Sequence, residues 1–153
     1  MSTILVVDDE SAMRELYARA LVSSGYLTVE ARTAEEALDF LTLNTDIDVV
    51  IADLDMPGSG GAWLVEQMRG RFPNVAVILA TANESVPGSL SLQESVVSYL
   101  VKPISGDRLR EAVSDALAWP GRQSPSTETG ADPIENWLDK KLTRGHGDGE
   151  PTS

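Results

Sequence analysis

Short runs of apolar, β-favouring residues recur five times along the chain, at Ile4 to Val7, Leu27 to Ala31, Val49 to Ala52, Val75 to Ala80 and Val96 to Val101. Runs of this length read as strands. Between them the apolar spacing changes to that of a helix. Met13, Leu16, Tyr17, Ala20 and Leu21 fall on one helical face, and Gly25 supplies a stop after the last turn. Thr33 followed by Glu36 reads as a capping box that opens a second helix burying Ala37, Leu38 and Leu41. Leu64, Val65 and Met68 mark a third. The last helix begins near Ser105 and buries Leu109, Ala112, Val113, Ala116 and Leu117 before Pro120 forbids its continuation. The stretch from Pro87 to Ser95 is the weakest element, because Gly88, Ser89, Ser91 and Ser95 are poor helix formers, and a helix there is expected to be short or mobile.

Strands that alternate with helices pair in parallel, since each right-handed crossover packs a helix on a face of the sheet. The fold class expected is therefore α/β with a doubly wound, five-stranded parallel sheet. In such sheets ligands sit beyond the carboxyl ends of the strands, at the switch point. Asp8 and Asp9, Asp53, Thr81 and Lys102 each follow one of these apolar runs, so one shared site is expected to gather them.

The domain expected from this pattern covers residues 1–119. From Trp119 the composition turns rich in Gly, Ser, Pro and Thr, which marks residues 120–132 as a flexible linker. Asp132 and Pro133 then open a short amphipathic helix over residues 133–144, carrying Ile134, Trp137, Leu138 and Leu142 on one face. A helix of about three turns is marginal alone in water, so it is expected to dock on the domain or on a partner. Residues 145–153, including His146, read as a disordered tail in which His146 has no neighbours suited to a metal or phosphohistidine role.

Composition narrows the functions available. The 153 residues include 24 acidic and 12 basic side chains, a formal charge of −12 that opposes any general affinity for nucleic acid or anionic lipid. A cation or a basic partner is favoured instead. The absence of cysteine excludes disulfides, thiolate metal sites and cysteine nucleophiles. The N-terminus has no basic region and reaches Asp8 after four apolar residues, so it reads as neither signal peptide nor membrane span, and a cytoplasmic location is expected.

The strand-end residues carry the chemistry. Carboxylates from adjoining strands, spaced about 4.8 Å apart, would repel unless neutralised. Magnesium suits them because it prefers oxygen ligands, keeps waters and bridges to phosphate oxygens, with manganese as the substitute. Lys102 offers a second positive charge and Thr81 a hydroxyl for a phosphoryl oxygen. Asp53 is then the natural nucleophile for an aspartyl phosphate. Met singly, Asp8 and Asp9 would read as helix caps, Thr81 as a strand residue and Lys102 as a surface charge. Trp63 and Trp119 read as packing residues.

From Ile4 to about Ala118 the chain resembles the receiver domain of two-component response regulators, of the chemotaxis-regulator-like superfamily. Val6-Val7-Asp8-Asp9-Glu10 is similar to the family's acidic pair, Asp53-Leu54-Asp55-Met56-Pro57-Gly58 to its phosphoacceptor loop, Thr81-Ala82 to its switch hydroxyl, and Tyr99-Leu100-Val101-Lys102-Pro103 to its aromatic-plus-lysine strand. The resemblance implies a flavodoxin-like sheet of order 2-1-3-4-5 and phosphorylation of Asp53 by a histidine kinase or histidine phosphotransfer protein. It also implies hydrolysis by an in-line water, so the chain takes part in its own phosphotransfer and dephosphorylation without being an enzyme in the usual sense. Magnesium would be held by Asp9, Asp53 and the backbone carbonyl of Asp55, with Asp8 acting largely through water. A cis peptide bond before Pro103 would aim Lys102 inward. Thr81 would move toward the phosphoryl oxygen while the Tyr99 ring swings into the vacated space. Plain core packing is the alternative for Tyr99.

Some features depart from the family pattern. Asp55 and Asn83 occupy the two positions that tune phosphoryl lifetime, and the sequence leaves the sign of the Asp55 effect open. Ser95-Val96 stands where Gly-Ala is frequent, and with the weak Pro87–Ser95 stretch this makes the output face unusual. Too few residues follow Trp119 for a DNA-binding output domain, so signalling by protein contact is expected, including self-association through the Pro87–Ser95 stretch, the fifth strand and the last helix. The downstream target is not encoded in any motif. Two other readings compete: a receiver-like adaptor that binds without phosphorylation, and a haloacid-dehalogenase-type phosphatase built on Asp53-Leu54-Asp55. Chain order opposes the phosphatase, which places its nucleophile on the first strand.

Overall fold

Alternate side chains of a buried parallel strand face opposite sides of the sheet, so the four strands other than the edge strand Leu27–Ala31 contribute here to two separate cores. The computed structural model describes residues 2–82 and 95–120. Along them run β1 (Thr3–Val7), α1 (Ser11–Val22), β2 (Leu27–Ala31), α2 (Ala34–Leu43), β3 (Ile47–Asp53), α3 (Gly61–Met68), β4 (Ala76–Thr81), β5 (Val96–Val101) and α4 (Gly106–Leu117). The strands form one parallel sheet of order β2-β1-β3-β4-β5, as expected. Leu5, Val7, Val50, Ala52, Val77 and Leu79 face α2 and α3, meeting Ala37, Leu41, Leu64, Val65 and Met68. Ile4, Val6, Val49, Ile51 and Ile78 face α1 and α4, meeting Tyr17, Leu21, Leu109, Ala112, Val113 and Ala116. Each fully buried leucine or isoleucine contributes about 1.5–3 kcal/mol by leaving water.

The helix ends follow local chemistry. The Thr33 hydroxyl accepts the Glu36 N–H at 3.0 Å, while the Glu36 carboxylate reaches past the cap to accept the Arg32 N–H at 2.7 Å. Ser105 caps α4 by accepting the Arg108 N–H at 3.1 Å. After α1, Gly25 adopts φ +93°, and its N–H donates to the Val22 carbonyl while the Tyr26 N–H donates to that of Leu21. These paired bonds are a Schellman motif, in which glycine takes the left-handed position at no steric cost.

Two expectations need correction. Leu16 is 53% exposed, and the buried face of α1 is instead Tyr17, Ala18 and Leu21, with Met13 and Ala20 partly covered. At 100° per residue, Leu16 falls at the rim of a stripe centred on Tyr17 and Leu21. Strand β3 also starts earlier than the apolar run, at Ile47, because Ile47 pairs with Thr3 and Val49 with Ile4, leaving Asp48 as a bulge. The Asp48 carboxylate accepts the Thr3 N–H at 3.1 Å, which binds this acidic residue into the sheet. Trp63 is partly buried against the α2–α3 core, and Trp119, 4% exposed, packs into the other. Asn83, most of the Pro87–Ser95 stretch, residues 121–132, the helix expected over 133–144 and the tail with His146 lie outside the described residues.

Candidate functional site

The sheet order makes β1 and β3 neighbours, and helices leave them toward opposite faces, so a crevice opens beyond their carboxyl ends. Asp8 and Asp9 follow β1, and Asp53 is the last residue of β3. Carboxylate oxygens of the three acids lie within 4.8 Å of one another. Asp8 is 1% and Asp53 5% exposed, whereas Asp9 faces solvent.

Each buried acid is held by specific donors. Asp8 Oδ1 accepts the Glu10 N–H at 3.0 Å, closing a tight turn into α1. The Arg14 guanidinium donates to the Asp8 carbonyl at 2.8 Å and pairs with Glu30 at 3.5 Å, fixing the same turn from β2. Asp53 Oδ1 accepts the Asp55 N–H at 2.9 Å, and Asp53 Oδ2 lies 3.1 Å from Lys102 Nζ. That ammonium also stands 3.5 Å from Asp8 Oδ2. Lys102 follows β5, its N–H donates to the Thr81 carbonyl at 2.8 Å, and a cis peptide bond joins it to Pro103. The lysine therefore arrives from two strands away and faces inward.

Electrostatics reflects this crowding. Burial pushes the Asp8 carboxyl above its ordinary range; the Glu10 N–H and Lys102 oppose that shift, while Asp53 and Asp9 add to it. Burial alone would lower the Lys102 ammonium, but its hydrogen bond to Asp53 and the charges of Asp53 and Asp8 outweigh this and raise it. Asp8 Oδ2 is buried without a hydrogen bond among the described residues. A buried carboxylate oxygen that has only the Lys102 ammonium at 3.5 Å for a counter-charge, beside two further acids, suits a hard divalent cation, and Asp8, Asp9 and Asp53 fit one.

On the β4 side, Thr81 closes its strand at 1% exposure. Its hydroxyl donates to Asp55 Oδ2 at 3.2 Å, and the Ala82 N–H donates to the same oxygen at 2.8 Å. The Tyr99 ring is partly buried against the α2–α3 core, and its hydroxyl is shielded from solvent without a hydrogen bond among the described residues.

Three contributors are not singled out from the sequence as parts of the site, and a fourth, Asp55, is expected from it to tune phosphoryl lifetime without its side-chain partners being identified. The Asp55 side chain and Arg14 act through contacts that only the folded chain creates. Tyr17 is buried beside the site, its phenol pushed up to about 12, chiefly by burial. Gly61 opens α3 directly against β3, where a Cβ would lie 3.0 Å from the Asp53 carbonyl oxygen. The Gly60-Gly61 pair was the available signal for that approach.

Comparison with known proteins gives a consistent answer. A family model described as response regulator receiver domain matches residues 4–114. Transcriptional regulatory protein GlrR of Escherichia coli K12 is 33% identical over 142 residues, covering 92% of this chain and 30% of that protein. The chain thus spans less than a third of that relative's length. A chemotaxis protein CheY homolog of Campylobacter jejuni is 35% identical over 118 residues, covering 74% of this chain and 91% of its own. Among solved structures, response regulator TrrA of Thermotoga maritima, in complex with magnesium and beryllofluoride, superposes with TM-score 0.69 at 36% identity, covering 76% of this chain and all of that one. A receiver domain protein of Clostridium thermocellum gives TM-score 0.71 at 31% identity, covering 76% of this chain and 94% of its own. With the matched segment running from β1 through most of α4, the chain belongs to the response regulator receiver domain family.

Proposed function

We propose that Asp53 accepts a phosphoryl group from the phosphohistidine of a histidine kinase or histidine phosphotransfer protein, in a magnesium-dependent reaction that manganese also supports. The observation that carries this reading is the Asp53 carboxylate itself: buried, fixed at both oxygens by the Asp55 N–H and Lys102, and clustered with Asp8 and Asp9. A carboxylate oxygen attacks phosphorus in line, the P–O bond forms as the N–P bond breaks, and the imidazole departs. Magnesium, when bound, would neutralise charge on the phosphoryl oxygens, held by Asp9, Asp53 and the Asp55 carbonyl, with Asp8 acting through water. Lys102 would leave its carboxylate partners for a phosphoryl oxygen, and Thr81 would offer its hydroxyl to another. In the reverse of activation, water attacks phosphorus, the acyl P–O bond breaks and inorganic phosphate leaves. Asp55 and Asn83 would tune the lifetime.

The consequence of phosphorylation is read at the surface. Thr81 and Tyr99 would form the relay, with the Tyr99 ring turning as Thr81 moves. We assign the phosphoacceptor role to residues 1–119, and to residues 120–132, 133–144 and 145–153 the roles of linker, docking helix and tail. Output would pass by protein contact, including self-association through the β5–α4 face. The acidic charge supports that reading, and a cytoplasmic location is part of this proposal; among the described residues no helix is long and apolar enough to cross a membrane.

The test is intact mass after incubation with magnesium and acetyl phosphate. The wild-type chain gains one phosphoryl group, and Asp53→Asn gains none. Equal gain by Asp53→Asn overturns the assignment, and no gain by the wild type with preserved partner binding favours the phosphorylation-independent adaptor.

A further inference from the structure

The Thr81 hydroxyl carries one proton and the Ala82 amide one more, and both are given to a single oxygen of Asp55. Those two donors stand at the end of β4, whose residue Ala80 lies directly opposite Asp53 in the sheet. They therefore stand where a group attached to Asp53 would meet them from the β4 side, the side from which Lys102 also reaches over from β5. A hydroxyl or amide proton serves one strong acceptor at a time. In this arrangement the acceptor is a carboxylate of the chain itself, reaching back from two residues beyond the nucleophile.

We infer that Asp55 is an internal competitor of the phosphoryl group, a latch that holds Thr81 and Ala82 in the unphosphorylated arrangement. The inference rests on Asp53 being the phosphoacceptor and gives the Asp55 effect a sign. A phosphoryl group on Asp53 offers anionic oxygens for the same protons and repels the Asp55 carboxylate at short range. Asp55 is an exposed residue, so its released carboxylate returns to water at little desolvation cost. Its backbone remains fixed throughout, because the Asp55 N–H is bound to Asp53 Oδ1. The latch thus swings on the side chain alone. Its effect is to disfavour the activated state relative to a chain with no acid at position 55, and to make the release of Thr81 conditional on an anion at Asp53.

The experiment uses the full chain with magnesium and beryllofluoride as the probe, comparing wild type, Asp55→Asn and Asp55→Ala by amide NMR at low and high salt. The latch requires the Ala82 amide of the free wild-type protein to be protected from hydrogen exchange, and that protection to fall in Asp55→Ala. Beryllofluoride affinity rises by at least about tenfold in Asp55→Ala, the factor expected for freeing even one of the two charge-assisted hydrogen bonds. Asp55→Asn, which keeps an acceptor oxygen but no charge, gives a smaller gain. The gain in Asp55→Ala persists at high salt, because the competition is at contact. Unchanged Ala82 protection in Asp55→Ala overturns the latch, as does a gain that disappears with salt, which would mark simple charge repulsion. Failure of all three proteins to bind beryllofluoride would instead overturn Asp53 as the acceptor.

Discussion

Lys102 Nζ lies 3.1 Å from Asp53 Oδ2 and so serves the carboxylate that closes β3 from the far side of β4. The lysine is shared, standing 3.5 Å from Asp8 as well, and all three side chains are largely withdrawn from water. Withdrawn charges of this kind interact more strongly than surface pairs, and removing one member leaves its partners uncompensated.

Replacing Lys102 by methionine keeps most of the side-chain volume and deletes the charge. In metal-free buffer Lys102→Met should lose about 3 kcal/mol of stability, the cost of leaving a buried carboxylate unpaired. Divalent cation should restore more stability to the variant than it adds to the wild type, because no ammonium then competes for the acids. Thermal denaturation with and without millimolar magnesium measures both, and equal magnesium increments in the two proteins would contradict the shared-charge account.

A cation that binds only the folded chain stabilises it by mass action. For the wild type, magnesium at about 100 times its dissociation constant should add about 2.7 kcal/mol. Asp9→Ala should lose most of this increment with little change in metal-free stability, since Asp9 is exposed. Asp8→Asn should be more stable than wild type without metal, because a buried, charge-crowded carboxylate is replaced by a neutral group. Denaturant titrations across a magnesium series would check the order of the three proteins.

Much of this architecture is legible in the chain because strand and helix periods differ. The runs ending before Asp8, Asp53, Thr81 and Lys102 identify the strands, and the rule that parallel sheets bind ligands at their carboxyl ends brings those residues together without coordinates. Failures arise where a tertiary contact overrides a local signal. Asp48 argues against strand by propensity, yet its carboxylate takes the Thr3 N–H and the sheet continues through it. Leu16 looks like a core residue, yet the position of α1 on the sheet turns it outward and takes Ala18 inward. The sign of the Asp55 effect is not legible because its partners are 26 and 27 residues away in sequence, and their approach depends on the register of β3 with β4.

Gly61 is a site where a single methyl group should reach the chemistry. A Cβ there would lie 3.0 Å from the Asp53 carbonyl oxygen, 3.2 Å from Leu54 Cα and 3.2 Å from Leu79 Cδ2. Two of these contacts are backbone, so relief requires moving the end of β3 or the start of α3. Gly61→Ala is expected to cost about 1–3 kcal/mol by overpacking and to slow phosphorylation by acetyl phosphate. Gly70→Ala supplies the comparison. It forces a left-handed backbone with φ +75° at the other end of α3, costing about 1–2 kcal/mol while leaving the phosphorylation rate unchanged. Equal rates in the two variants would show that the Gly61 contact does not position Asp53.

Tyr17 is packed among Leu21, Leu109 and Val113 on the α1–α4 side, and its hydroxyl is buried without a hydrogen bond among the described residues. Deleting an unsatisfied buried hydroxyl removes its desolvation cost, so Tyr17→Phe should be more stable than wild type by about 1 kcal/mol near neutral pH. The pH dependence has a definite sign. Burial raises the folded phenol from 10.0 to about 12, so between these values the unfolded chain ionises at Tyr17 while the folded chain retains its proton. The unfolded state then binds fewer protons, and wild-type stability falls as pH rises through this window. Tyr17→Phe has no such group, so its advantage should widen steadily above pH 10 and level off near 12. Denaturant unfolding of both proteins from pH 8 upward, compared as a difference, cancels the titration of groups they share to the extent that Tyr17 does not perturb them. A constant difference across the window would mean that the folded phenol loses its proton as readily as the unfolded one, and so is reached by water.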